Sequence, residues 1–222
     1  MRDTDRTYGQ YCGLAHALDL VGERWQMLVV RELALGPRRF TDLLAGLPGV
    51  SRTVLASRLR QLERGGLVRR DALPPPAASA VYELTDYGRE LGPILLALCR
   101  WGVRSLDPRS SEAFRSHWLA LALTAHFHAD AAHGPSVVYE IRLRDGAFRL
   151  TVGDGEVALV TGPGQPADVV IEADDDALVA LLRGLVSPAT ALEDGTVAVL
   201  AGDSAELGRF LELFRFAEAV AA

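Results

Sequence analysis

Apolar residues recur along the first hundred positions with the 3.6-residue period of amphipathic helices. Residues 11–20 place Leu14, Ala17 and Leu18, followed by Val21, on one predicted stripe. After Gly22 a second helix over residues 23–35 turns Trp25, Leu28, Val29 and Leu33 inward, and Gly36-Pro37 ends it. A short helix from Phe40 carries Leu43, Leu44 and Leu47 and breaks at Pro48-Gly49. Ser51 then offers its hydroxyl to an unpaired N–H of the next turn. Leu55, Leu59 and Leu62 follow at i, i+4 and i+7 until Gly65-Gly66 stops the helix. Residues 67–70 and 80–84 have strand character and flank a loop holding Pro74-Pro75-Pro76, the layout of a winged helix. Thr85 and Asp86 cap a long predicted helix with Leu91, Ile94, Leu95, Leu98 and Trp101 at helical spacing, reaching about Leu106. Its apolar surface is large for one small domain and predicts a dimer contact.

One more helix is expected over residues 110–132, with Phe114, Trp118, Leu121 and Ala125 on one side. Beyond Gly134-Pro135 the period falls to two. Residues 137–143, 147–152, 156–160 and 167–172 read as half-buried antiparallel strands, with Asp145-Gly146 and Asp154-Gly155 as hairpin turns. Helices over residues 174–183 and from Ser187-Pro188 to Leu192 follow, then a strand over residues 196–200. A last helix from Ser204 to about Ala219 turns Leu207, Phe210, Leu211, Phe214 and Ala217 inward. The expected fold class is α+β. A winged helix-turn-helix domain spans residues 1–106, and an antiparallel sheet covered by helices spans residues 107–222.

Charge separates the same two parts. Residues 1–106 carry 15 Arg against 11 Asp and Glu, a balance of +4, whereas residues 107–222 carry 8 Arg against 18 Asp and Glu, a balance of −10. Only the front could meet a polyanion. The 49% hydrophobic content suffices for two cores. No apolar run reaches membrane-spanning length, and the N-terminus lacks an apolar signal core, so a cytoplasmic protein with no membrane partner is expected. Two distant cysteines make no disulfide framework.

The solvent face of the second helix of the helix-turn-helix holds Thr53, Ser57, Arg60 and Arg64, with Arg52 and Ala56 beside it and no acidic residue. Hydroxyls there can reach phosphates or bases, and an arginine can fork onto guanine. Arg38, Arg39, Thr41 and Ser51 lie at the openings of the two helices, and Arg69, Arg70 and Ser79 lie on the wing, beside the groove. Double-stranded DNA is the expected partner; the alternative is an ordinary amphipathic helix with a solvated arginine face. His117, His126, His128 and His133 fall within 17 residues, but His126 and His128 point to different sides of a helix. No His-Glu-x-x-His pattern accompanies them, so no metal is assigned. No nucleophile or acid/base constellation is visible, so neither an enzyme nor a cofactor is expected.

The stretches YCGLAHALDLVGERW, LVVRELALGPRRFTDLLAGLPGVSRTVLASRLRQLERGGLVRR and YELTDYGRELGPILLALCRWG, within residues 11–102, resemble the HxlR-type winged-helix regulators of bacteria. The resemblance implies a homodimer that binds a pseudo-palindromic operator and regulates neighbouring genes. It also implies an oxidant- or electrophile-sensing role for Cys12, against the alternative of a small packed residue at a helix start. Cys12-Gly13 stands where the family usually has Cys-Pro. Residues 115–216, with ADVVIEADDDALVALLRG and SPATALEDGTVAVLAGDSAELGRFLELF, are similar to the sterol-carrier-type domain. That implies an apolar tunnel between sheet and helices and a lipid-like or other apolar effector, with Trp118, Leu121, Leu181, Phe210 and Phe214 as candidate lining. The alternatives are a filled core with a structural role, or a lipid carrier whose winged helix serves only for dimerisation.

Overall fold

The computed structural model describes residues 7–72, 80–106, 114–160 and 166–216. The chain divides into two compact units, Met1–Leu95 and Leu96–Ala222. In the first, α1 (Gly13–Val21), α2 (Gln26–Ala34), β1 (Arg38–Arg39), α3 (Phe40–Gly46), α4 (Arg52–Arg64), β2 (Val68–Ala72), β3 (Ala80–Leu84) and α5 (Asp86–Arg89) follow one another. The strands pair in the order β1-β3-β2, all antiparallel, with Arg38 opposite Tyr82 and Val68 opposite Leu84. β1 is absent from the sequence expectation because two residues are too few to show alternation.

The core of this unit gathers Val29, Val30 and Leu33 of α2, Leu43 and Leu47, Leu55, Leu59 and Leu62 of α4, and Leu67, Val68 and Leu84. Each buried leucine contributes about 2 kcal/mol, which holds α4 in place while its other face stays charged. Two expected stripes are corrected. Ala15 is the buried residue of α1, while Leu14 and Leu18 are 69% and 40% exposed and Ala17 is exposed too. In α2, Leu28 is also exposed, and the buried positions include Gln26 and Glu32. α1 is in contact with α4, and Leu20 and Val21 pack against the core of the unit, with Leu20 beside Gly65, whereas Leu14 and Leu18 point to solvent.

The long helix expected after Thr85 is two helices, α5 and α6 (Gly92–Val103). Pro93 has no N–H for the Arg89 carbonyl and its ring would collide with it, so the helix restarts there. Leu95 faces inward, whereas Ile94, Leu98 and Trp101, at i, i+4 and i+7, are 53%, 48% and 72% exposed. The second unit begins inside α6, and this half of the helix is bonded to rear elements.

The rear unit continues with α7 (Ser116–Ala125), a 3-10 turn (Ala129–Ala131), β4 (Val137–Leu143), β5 (Gly146–Gly153), β6 (Glu156–Val160), β7 (Val169–Ala173), α8 (Asp175–Leu182), α9 (Pro188–Glu193), β8 (Val197–Ala201) and α10 (Ala205–Phe214). The strand order is β6-β5-β4-β7-β8. β4 and β7 run parallel, Tyr139 opposite Val169, so the sheet is mixed and not purely antiparallel as expected. Alternation reveals which side chains face the core but not the direction of a neighbour, and here the chain returns from β6 to the far side of β4. The β5–β6 turn is Asp154-Gly155 as expected, both with positive φ. The β4–β5 turn lies one residue earlier than expected, since Leu143 already pairs with Gly146. α7 also ends sooner than expected: His126 caps it, and its Nδ1 lies 2.8 Å from the Ala122 carbonyl oxygen.

Candidate nucleic-acid interface

The helix-turn-helix is α3, the Pro48-Gly49 turn and α4. Gly49 takes φ +87, a conformation that favours glycine. Ser51 starts α4 by accepting a hydrogen bond from the Val54 amide at 3.2 Å. With Leu55, Leu59 and Leu62 at 1% exposure or less, the opposite face is fixed by geometry: Arg52, Thr53, Arg60 and Arg64 are exposed and Ser57 is half-buried beside them. Arg52 and Arg60 have no protein partner among the described residues. Glu63 is the one acidic residue of α4 and is half-buried. Four arginines against one glutamate make this helix a cationic surface, able to neutralise phosphates and present guanidinium forks to base edges.

Arg39 and Thr41 are exposed and Arg38 half-buried at the start of α3, where the Arg39 amide donates to Asp42 Oδ2 at 3.3 Å. On β2, Arg69 and Arg70 are both exposed, yet neighbours in a strand point to opposite faces. Arg69 lies opposite Glu83 and Arg70 opposite Tyr82. Arg69 Nε donates to Glu83 Oε1 at 2.6 Å, and this bond raises the guanidinium pKa further above its ordinary value. The two arginines therefore cannot serve one row of phosphates together, and Arg69 carries its own counter-ion. Ser79 lies outside the described residues.

A group that sequence pattern did not single out fixes α4 from behind. Arg58 is half-buried and donates to the Arg24 carbonyl at 3.0 Å, to Gln61 Oε1 at 2.7 Å and to Glu23 Oε2 at 2.9 Å. Gln26 accepts from the Glu23 amide at 3.0 Å, closing the corner between α1 and α2. Trp25 holds φ +82 at that corner, with the Arg24 guanidinium 5.2 Å from its ring centroid. Arg58 sits between the buried stripe and the solvent face on the helical wheel. That intermediate position is the signal sequence could have supplied.

Cys12 is fully exposed immediately before α1, and the backbone N–H groups of Ala15 and Leu14 hold its thiol below the ordinary value. Exposure and a depressed pKa are the two conditions a reactive thiol needs.

In the rear unit the five candidate lining residues do not form one surface. Leu181, Phe210 and Phe214 are 3% exposed or less, inside the core, whereas Trp118 and Leu121 are half-exposed. The buried apolar residues of α7 are Leu119, Ala120, Leu123 and Ala125; Ala125 is as expected, whereas the other three lie one or two positions away from Trp118 and Leu121. Tyr139, Phe210 and Phe214 stack with centroids 5.4 and 4.9 Å apart, and the Tyr139 hydroxyl donates to Glu206 Oε2 at 2.8 Å. A cleft of about 340 Å³ opens elsewhere in this unit, but Arg142, Arg144, Glu172 and Asp174 line it, so it is polar. His126 is buried against Phe216 while His133 is exposed, and no three metal-ligating side chains cluster among the described residues.

Comparison with known proteins agrees with this geometry. Over 104 residues the chain is 42% identical to sll1512 of Synechocystis sp., an uncharacterized HTH-type transcriptional regulator, a match spanning 47% of this chain and 77% of that protein. The chain belongs to the HxlR-like helix-turn-helix family. The HxlR-like model matches residues 20–110, and the model of the SCP-2 sterol transfer family matches residues 123–215. Bacillus subtilis YvaP, another uncharacterized HTH-type transcriptional regulator, is 40% identical over 92 residues, 41% of this HxlR-type chain and 85% of YvaP. Among solved structures, the redox regulator HypR in its oxidized form is 30% identical, covering 43% of this chain and 99% of that one at a TM-score of 0.41. These relatives cover less than half of this chain, in which the SCP-2 match follows the HxlR-like one. No helix among the described residues is long and apolar enough to cross a membrane.

Proposed function

We propose that this HxlR-type regulator binds a pseudo-palindromic operator as a homodimer, and that its SCP-2 domain senses an apolar small molecule. The observation that carries the reading is the face of α4, where Arg52, Thr53, Arg60 and Arg64 stand exposed while the leucines opposite are sealed in the core. The wing arginines add sugar-phosphate contacts, of which Arg70 is the less encumbered. Dimerisation is supported by the outward face of α6, Ile94, Leu98 and Trp101, and by the exposed Leu14 and Leu18 of α1. Apolar side chains this exposed on adjoining helical turns favour a partner surface. A ligand that prefers one dimer geometry changes the spacing of two recognition helices and so biases operator affinity by its differential affinity for the two states. Cys12, exposed and with a depressed thiol pKa, supplies a second input sensitive to oxidants or electrophiles.

Selection from a random duplex library tests the DNA half of this proposal. Inverted repeats with half-sites about 34 Å apart are the expected product. Arg60→Ala then costs ~1–3 kcal/mol of specific binding and relaxes preference at one base position. Unchanged affinity for the selected operator removes α4 from the groove. Native mass spectra before and after organic extraction test the other half. A dimer carrying a discrete mass that extraction removes supports ligand sensing, and a clean dimer moves the SCP-2 domain toward a structural role.

A further inference from the structure

We infer that Arg100 and Arg183 are positioning residues that build the second half of α6 into the SCP-2 domain, so that a change of state in that domain reaches operator binding through this helix. The inference rests on the reading of α6 as a dimer contact. The last carbonyls of a helix lack intrahelical partners, and the negative end of the helix dipole favours a cation there. α7 ends at Ala125, whose carbonyl oxygen accepts from Arg100 Nη1 of α6 at 3.1 Å. α6 in turn ends at Val103, whose carbonyl oxygen accepts from Arg183 Nη2 at 3.1 Å, and the same nitrogen reaches the Leu106 oxygen at 2.9 Å. Each of two helices is thus closed by a guanidinium from another element: α6 serves α7, and the end of α8 serves α6.

Packing reinforces the charges. Val103 lies against the rear core, and Arg183 directly follows Leu182, which is fully buried in that core. The same short helix turns Leu98 and Trp101 to solvent. A helix is stiff over three turns, so α7 or α8 cannot shift without carrying these two side chains. The helices that pack on the SCP-2 core are therefore tied to the face proposed to meet a second copy. Both arginines look like solvated residues in the sequence; only their carbonyl partners reveal the clamp.

Full-length wild type tests the clamp beside three variants: Ile141→Ala in the middle of β4, the pair Arg100→Met and Arg183→Met, and all three changes together. Methionine keeps an unbranched apolar stem and removes the donors. Hydrogen exchange is followed in β4, in residues 96–106 and in α4, alongside affinity for the selected operator and the native mass. In the wild-type background Ile141→Ala speeds exchange in β4 and in residues 96–106 together, leaves α4 unchanged and weakens operator binding. In the paired variant residues 96–106 exchange about tenfold faster from the outset, as loss of charge-assisted bonds requires. They no longer respond to Ile141→Ala, and neither does operator binding. An equal response of residues 96–106 in both backgrounds overturns the clamp, as does no response in the wild type. A monomeric native mass overturns the dimer reading instead, while the exchange coupling still reports on the two arginines. Should the paired variant fail to fold, Arg183→Met alone gives the same comparison at the end of α6.

Discussion

Glu83 masks the wing arginine that sequence pattern assigns to phosphate, and neutralising it tests that conclusion. Arg69 Nε and Glu83 Oε1 lie 2.6 Å apart across the β2–β3 pair, with the arginine side chain 58% exposed. Solvent screens such an exposed pair, which adds little to stability, so its consequence lies in binding. Glu83→Gln keeps a carbonyl oxygen for Nε and removes the negative charge. One further phosphate can then be neutralised, and the slope of log affinity against log salt steepens by about 0.9. Between 50 and 200 mM salt, a fourfold change, this amounts to about 3.5-fold more loss of affinity than in wild type. Arg69→Ala supplies the converse. In the wild-type background it changes the slope by clearly less than ~0.9, and in the Glu83→Gln background it removes the whole increment. Anisotropy titrations at several salt concentrations, with the selected operator and a scrambled duplex, read both. Identical slopes for wild type and Glu83→Gln would refute the masking, and so would a full loss on Arg69→Ala alone.

Gly88→Ala places a Cβ 2.0 Å from the Leu67 carbonyl oxygen, a backbone atom that also accepts from the Thr85 amide; destabilisation of about 3 kcal/mol in urea unfolding is expected. Arg58→Met removes the bonds to Arg24, Gln61 and Glu23 and costs about 2 kcal/mol of stability, less than three charged bonds would suggest because Glu23 is 39% exposed. Its salt slope for DNA stays at the wild-type value, which separates it from Arg60→Ala. Burial holds the His126 imidazole below its ordinary pKa of 6.5, with Arg100 and His128 adding to the shift. The unfolded chain therefore binds the proton first. Stability is full above about pH 6.5 and declines as the pH falls toward the folded-state pKa. Melting curves across this range should lose that decline in His126→Phe.

The sequence by itself determined the two-part organisation, the helix-turn-helix with its Ser51 cap and Gly49 turn, and the arginine-bearing face of α4. These are local matters: periodicity, capping and turn chemistry act within a few residues, and a stripe of leucines dictates where the opposite face must point. The alternation of β4, β5 and β7 and the inward leucines and phenylalanines of α10 were legible for the same reason. Periodicity went astray where an apolar stripe does not face its own core, as with Leu14 and Leu18 of α1, and where Pro93 divides a seemingly continuous helix. Tertiary structure alone decided the partners of charged groups. Arg69, Arg100 and Arg183 are indistinguishable in sequence from Arg52 and Arg60, and Arg58 differs only in its place on the helical wheel, yet these four are bound to carboxylates or carbonyls brought near by folding. It also decided the parallel pairing of β4 with β7, and it placed Leu181, Phe210 and Phe214 in a packed core while leaving Trp118 and Leu121 half-exposed. The physical reason is range: hydrophobic period and turn preference are properties of adjoining residues, whereas a guanidinium's partner and a strand's neighbour depend on segments tens of residues away.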